Sequence, residues 1–299
     1  MTKHTYVCAR TVLETPSSFE DNMTMNQFCL AILKCYNAWT DAPPNVFFFA
    51  SQKIMSFRAY VSVKVVYTAI TQVAFPRFWR NWWYWNTTED RLLTYVKKTA
   101  TEGEPASVLA AVEKYNRDYE WTIMLEPDKT KKLEEVVKEA SPEVCLEMGC
   151  YIGCSALAIG AQLPPGGRLI TTEIDPRIAD IARQLISFAG LDQVITVCTV
   201  KAEDLIQALR SDYSVDKLDF VFLDHFKQLY HPDLKRLEAN HLLRKGTVVM
   251  ADNTVMPGAP DFLEYVETSD KYKTERFEFT MPVFNELDAM TVSVYTKDY

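Results

Sequence analysis

The chain has 299 residues, 48% of them hydrophobic, enough to bury one substantial core plus an added segment. Its 40 acidic and 32 basic residues give a formal charge of -8, which excludes nucleic-acid partners held by a general Lys/Arg surface. The seven cysteines are odd in number and form no CxxC pair or metal-spaced set with His, so reduced thiols in a cytoplasmic setting are expected, with Cys150 and Cys154 as small buried hydrophobes.

The first 18 residues carry no apolar run of signal-peptide length. Residues 45–75 are rich in Phe, Val, Ile and Tyr, but Lys53, Arg58 and Lys64 interrupt them, so a membrane-spanning helix is not expected. The stretch RFWRNWWYW (77–85) sets Trp79, Trp82, Trp83 and Trp85 among two arginines. That composition suits a membrane surface, through residues 45–85, and equally an apolar helix packed on protein; both readings stay open. Residues 1–87 therefore read as an N-terminal extension, and no obligate protein partner is evident.

From Thr87 onward charged and apolar residues interleave at helical spacing, predicting helices over 89–98, 105–121 and 128–140. Beyond Ser141 short apolar runs alternate with helical stretches: VCLEM (144–148), RLITTE (168–173), QVITVCT (193–199), LDFVFLD (218–224) and GTVVMAD (246–252). Such alternation predicts five parallel strands joined by crossover helices. YKTERFEFTM (272–281) and AMTVSVYT (289–296) leave no room for a helix between them and predict a closing antiparallel pair. The expected fold over 88–299 is a doubly wound, mostly parallel seven-stranded α/β sheet with helices on both faces.

The first strand runs into EMGCYIGCS (147–155), where Gly149 and Gly153 allow a backbone turn to approach a ligand at the carboxyl edge of the sheet. The spacing is not the GxGxxG of dinucleotide sites. The second strand ends in Glu173, about where an acidic residue reaches ribose hydroxyls, while Glu147 suits a cationic amino-acid end. The fourth and fifth strands deliver Asp224, Asp252 and Asn253 to the same edge, a hard-oxygen set suited to Mg2+ more than to zinc or copper. Lys227, three residues after Asp224, stands where it can take a proton from an oxygen nucleophile activated by such a metal. His225 lies beside Asp224, and no histidine has a Ser or Cys partner arranged for nucleophilic catalysis.

In LEMGCYIG (146–153), RLITTEIDP (168–176), FAGLDQV (188–194), VFLDHFK (221–227), LLRKGTVVMADN (242–253) and PGAPDFL (257–263), taken in order, the chain resembles the catechol O-methyltransferase family over about residues 88–299. The resemblance implies a class I methyltransferase that binds S-adenosylmethionine through Leu125, Glu147, Gly149, Tyr151, Ser155, Glu173, Ile174 and Asp224. It also implies a metal held by Asp224, Asp252 and Asn253, Lys227 as general base, and a phenolic substrate met by Lys227 and Asn253 and flanked by Trp121 and Pro257.

Four departures stand out. VKAED (200–204) puts Glu203 and Asp204 where the family has Ser and Gln near the adenine, which makes Glu203 the expected cofactor contact there. Phe226 replaces a tryptophan, and MLEPDKTK (124–131) lacks a glycine. Pro282 falls where the family has its second catechol-binding glutamate, with Glu286 the nearby substitute. Three expectations follow: methylation of a catechol, of another vicinal-diol phenol, or non-catalytic cofactor binding that acts through partners. A binding module has no use for the metal ligands and the base together.

Overall fold

The computed structural model describes residues 86–281 and 286–298, together with Arg77, Arg80, Asn81 and Tyr84. The tryptophans of 77–85, most of the 45–85 stretch and Pro282 lie outside the described residues. Among the described residues no helix is long and apolar enough to cross a membrane.

Three helices come first: α1 (Thr88–Thr99), α2 (Pro105–Asp118) and α3 (Pro127–Ala140). Thr87 caps α1 in a reciprocal box with Asp90, while prolines open α2 and α3 at the position where a missing N–H costs nothing. Helix α2 stops three residues short of the predicted end. Glu120 accepts Arg91 Nε and Nη2, each at 2.7 Å, and the Tyr115 hydroxyl at 2.9 Å. This half-buried ion pair draws the chain off the helical path and sends Trp121 into the following loop.

The sheet contains β1 (Val144–Met148), β2 (Arg168–Thr172), β3 (Ile195–Cys198), β4 (Leu218–Leu223), β5 (Leu243–Ala251), β6 (Tyr272–Met281) and β7 (Glu286–Tyr295). Its order is β3-β2-β1-β4-β5-β7-β6, with β1 to β5 parallel and β7 antiparallel to both neighbours, as the alternating pattern predicts. Strand β5 begins three residues earlier than expected, across an irregular register with β4, and β7 begins three residues earlier by pairing Glu286 with Met281.

Side chains of period two divide the core between the two faces. Cys145, Phe220 and Phe222 face α1 to α3, α4 (Cys154–Gly160) and α5 (Pro176–Phe188). Leu146, Met148, Val221 and Leu223 face α6 (Ala202–Tyr213), α7 (Tyr230–Ala239) and α8 (Pro260–Thr268). Cys150 and Cys154 are buried free thiols, the latter pushed up to about 12 by burial, so they are inert.

Candidate active site

Strand order reverses between β1 and β4, and ligands of open α/β sheets bind outside the carboxyl ends at such a point. Gly149 leaves β1 there at φ +101°, and a Cβ on it would stand 2.6 Å from the Asp224 carbonyl oxygen. Glycine is thus required for the β1 and β4 ends to close on each other. Gly153 (φ +92°) precedes α4, and Tyr151 between them is itself left-handed at φ 46°. The turn is tied down by Tyr151 N–H, which donates to Glu173 Oε2 at 2.9 Å, and by the Tyr151 hydroxyl, which donates to buried Glu89 at 2.5 Å.

Glu147 is fully buried. Its Oε2 accepts from the Thr171 hydroxyl at 2.5 Å on the paired strand, while Oε1 has no hydrogen-bond partner. Burial pushes its carboxyl up to about 7, only partly offset by the Ser155 and Thr171 hydroxyls. A buried acid with an unused oxygen fits the cationic end of an amino-acid-bearing cofactor. Glu173 follows β2 and is half-buried, Leu125 is buried, Ser155 is the second residue of α4, and Ile174 is 65% exposed. Glu203, in the first turn of α6, is engaged by Arg236 at 3.1 Å, and Arg236 also holds buried Asp233. Asp233 in turn meets His225 Nε2 at 2.8 Å, leaving the buried Nδ1 of His225 without a partner.

Asp224 and Asp252 follow the ends of β4 and β5, and Asn253 comes next at φ 52°, a left-handed conformation that asparagine tolerates. Lys227 Nζ donates to Asp224 Oδ1 at 2.9 Å and to the Tyr230 hydroxyl at 2.6 Å; that hydroxyl donates to the Asp252 carbonyl at 3.1 Å. Fully buried Tyr230 cannot ionise, because burial and the carboxylates Asp224, Asp252 and Asp288 hold its proton on. Burial and then the Asp224 charge push Asp252 up to about 7, in spite of Lys129 Nζ at 2.8 Å. Two acids crowded in this way, with an amide oxygen beside them, could hold a hard divalent cation, which would relieve their repulsion. Among the described residues no three His, Cys, Asp or Glu side chains cluster as a metal site, so such a cation relies on the amide as third ligand. Pro257 sits half-buried in the turn Thr254–Gly258 after β5, and Trp121 is half-buried before α3.

Sequence reasoning missed Lys129, Glu89, Tyr230 and Asp288, all buried. A signal existed for two of them. Lys129 shares the face of Leu133, Val136 and Val137, and Glu89 shares that of Leu92, Leu93 and Val96, so each is an ionisable group on an apolar stripe.

The parallel sheet with a reversed closing strand and this glycine turn at its switch point define a class I S-adenosylmethionine-dependent methyltransferase. The fold matches an O-methyltransferase from Bacillus cereus solved with S-adenosylhomocysteine (TM-score 0.55, 24% identity, 69% of this chain and 91% of that one). It also matches an O-methyltransferase of tomaymycin synthesis from Streptomyces achromogenes solved with S-adenosylmethionine (TM-score 0.56, 21% identity, 71% and 100%). The O-methyltransferase family model matches residues 99–282. Mouse catechol O-methyltransferase is 41% identical over 209 residues (70% of this chain, 79% of that one), and Danio rerio catechol O-methyltransferase B is 42% identical over 210 (70% and 80%). Human transmembrane O-methyltransferase is 38% identical over 197 residues, covering 66% of this chain and 68% of its own length. The chain belongs to the catechol O-methyltransferase family and is an S-adenosylmethionine-dependent enzyme.

Proposed function

We propose that this enzyme moves the methyl group of S-adenosylmethionine to one hydroxyl of a catechol, with catecholamines as the first substrates to test. The observation that carries the reading is the gathering of Glu147, Glu173, Asp224, Lys227, Asp252 and Asn253 along one carboxyl edge of the sheet. In this reading Glu147 takes the cationic end of the cofactor and Glu173 its ribose. Gly149, Tyr151, Ser155, Leu125 and Asp224 line the rest, and Ile174 and Glu203 lie on the adenine side.

Asp224, Asp252 and Asn253 would hold Mg2+, which when bound lowers the pKa of the catechol hydroxyls. Lys227 is the base that takes the proton of the attacking hydroxyl. The new oxygen–carbon bond forms as the sulfur–carbon bond breaks, and S-adenosylhomocysteine leaves with the electron pair on a neutral sulfur. Asp224 and Tyr230 restrain Nζ so that base, oxygen and methyl stay aligned. Trp121 and Pro257 flank the flat ring, while Asn253 and Lys227 face its hydroxyls.

Pro282, in place of the family's glutamate, favours a second reading, a vicinal-diol phenol other than a catecholamine. One assay separates the two: methyl transfer from labelled S-adenosylmethionine to dopamine and a panel of catechols, with Mg2+ or EDTA. Metal-dependent product from dopamine supports the first reading. Product from other catechols alone supports the second, and S-adenosylmethionine binding without any methylated phenol overturns both.

We further propose that residues 88–299 form the methyltransferase domain, placed in the cytoplasm, and that the aromatic stretch 45–85 of the N-terminal extension meets a membrane surface. Detergent-free fractionation of the full chain against a form beginning near Thr87 tests this, and equal partitioning overturns the membrane role.

A further inference from the structure

We infer that Asp288 is a positioning residue that fixes which end Asn253 offers to the metal and, through Lys129, holds Asp252 in place; the inference rests on the metal reading above. Asp288 is the third residue of β7 and fully buried. Its Oδ2 accepts from Lys129 Nζ at 2.6 Å and from Asn253 Nδ2 at 2.8 Å. Its Oδ1 accepts from Met256 N–H at 2.8 Å and Val255 N–H at 3.3 Å. Its acceptor directions are therefore spent on Lys129 of α3 and on the loop that follows β5.

Two consequences follow for the ligands. An asparagine amide can turn either end toward a cation, but only its oxygen ligates. With Nδ2 bound to Asp288, Asn253 keeps Oδ1 as its ligating atom. Lys129, held by Asp288, stands 2.8 Å from Asp252 Oδ1 as an ion pair without hydrogen-bond geometry, and so holds that carboxylate in place while its Oδ1 stays without a hydrogen-bond donor. The charge of Asp288 also offsets that of Lys129, which lessens the repulsion between the ammonium beside Asp252 and a metal there. Removing the carboxylate frees the Asn253 amide and unbalances Lys129, and both changes weaken metal binding. Outer-shell partners of this kind typically contribute about 10–100-fold in metal affinity.

Asp288→Asn is nearly isosteric, but it supplies one acceptor oxygen where the site uses two, so either Asn253 or the 255–256 turn loses its anchor. Mn2+ binding to the full chain is read by the electron paramagnetic resonance of the free ion, and S-adenosylmethionine binding by calorimetry on the same samples. The expected result is a Mn2+ dissociation constant raised about 10–100-fold, with the S-adenosylmethionine constant changed less than about twofold. The double variant Lys129→Met/Asp288→Leu removes both buried charges, so neither charge of that pair is left unmatched. It should show the same preferential loss, which keeps the test open where Asp288→Asn does not fold. Unchanged Mn2+ binding, or parallel loss of both ligands, overturns the positioning role alone. Wild-type protein that binds no Mn2+ overturns the metal reading and this inference with it.

Discussion

Replacing Glu147 by Gln should strengthen the fold while removing the cofactor. In the cofactor-free protein the folded carboxyl titrates at about 7, raised from 4.5 chiefly by burial. A folded value above the unfolded one means that folding takes up a proton between the two values. The contribution is fully present below pH 4.5 and is lost as pH rises through 7. Above that range the ionised, buried Glu147 destabilises the fold by about 3 kcal/mol relative to an ordinary carboxylate. A glutamine keeps an acceptor for the Thr171 hydroxyl and has no charge to desolvate. Urea unfolding of cofactor-free protein should therefore show the variant more stable than wild type by about 1–3 kcal/mol at pH 8 and nearly equal at pH 4.5. Calorimetry should show S-adenosylmethionine binding weakened at least about 100-fold, the order expected when a charged hydrogen-bond partner is lost from a buried site. Equal stability at pH 8, or cofactor affinity unchanged, would refute the placement of Glu147 as a buried acid waiting for a cation.

Three further outcomes are expected. Lys227→Ala should lower kcat by about 10²–10⁴-fold while Mn2+ and S-adenosylmethionine still bind, and a kcat within threefold of wild type would remove Lys227 as the base. Gly149→Ala forces a Cβ to 2.6 Å from the Asp224 carbonyl at φ +101°, so a loss of more than about 2 kcal/mol in urea unfolding is expected. Lys129→Met leaves Asp252 and Asp288 buried without their counter-ion and should cost about 3–5 kcal/mol. A cycle with Asp288→Leu should recover part of that loss, and strict additivity would argue against the pair.

The architecture was legible in the chain because its signals are local. The short apolar runs VCLEM and LDFVFLD, and period 3.6 in the stretches between, fix which residues leave the water whatever lies beside them. The glycine turn, Glu147, Glu173, Asp224, Lys227, Asp252 and Asn253 were legible for a related reason: in a doubly wound sheet every parallel strand ends at the same edge, so a strand-end position already gives a place in space. The chain alone could not say that Glu120 ends α2 early by pairing with Arg91, nor that Lys129 and Asp288, 159 residues apart, meet behind Asp252 and Asn253. Such pairs depend on how α3 packs against the sheet and on the register of β7 with β6, which no local pattern encodes. A lysine on an apolar stripe announces that a buried partner exists; only the tertiary structure decides that the partner is Asp288, because burial of a charge is tolerable only where the fold brings its counter-charge.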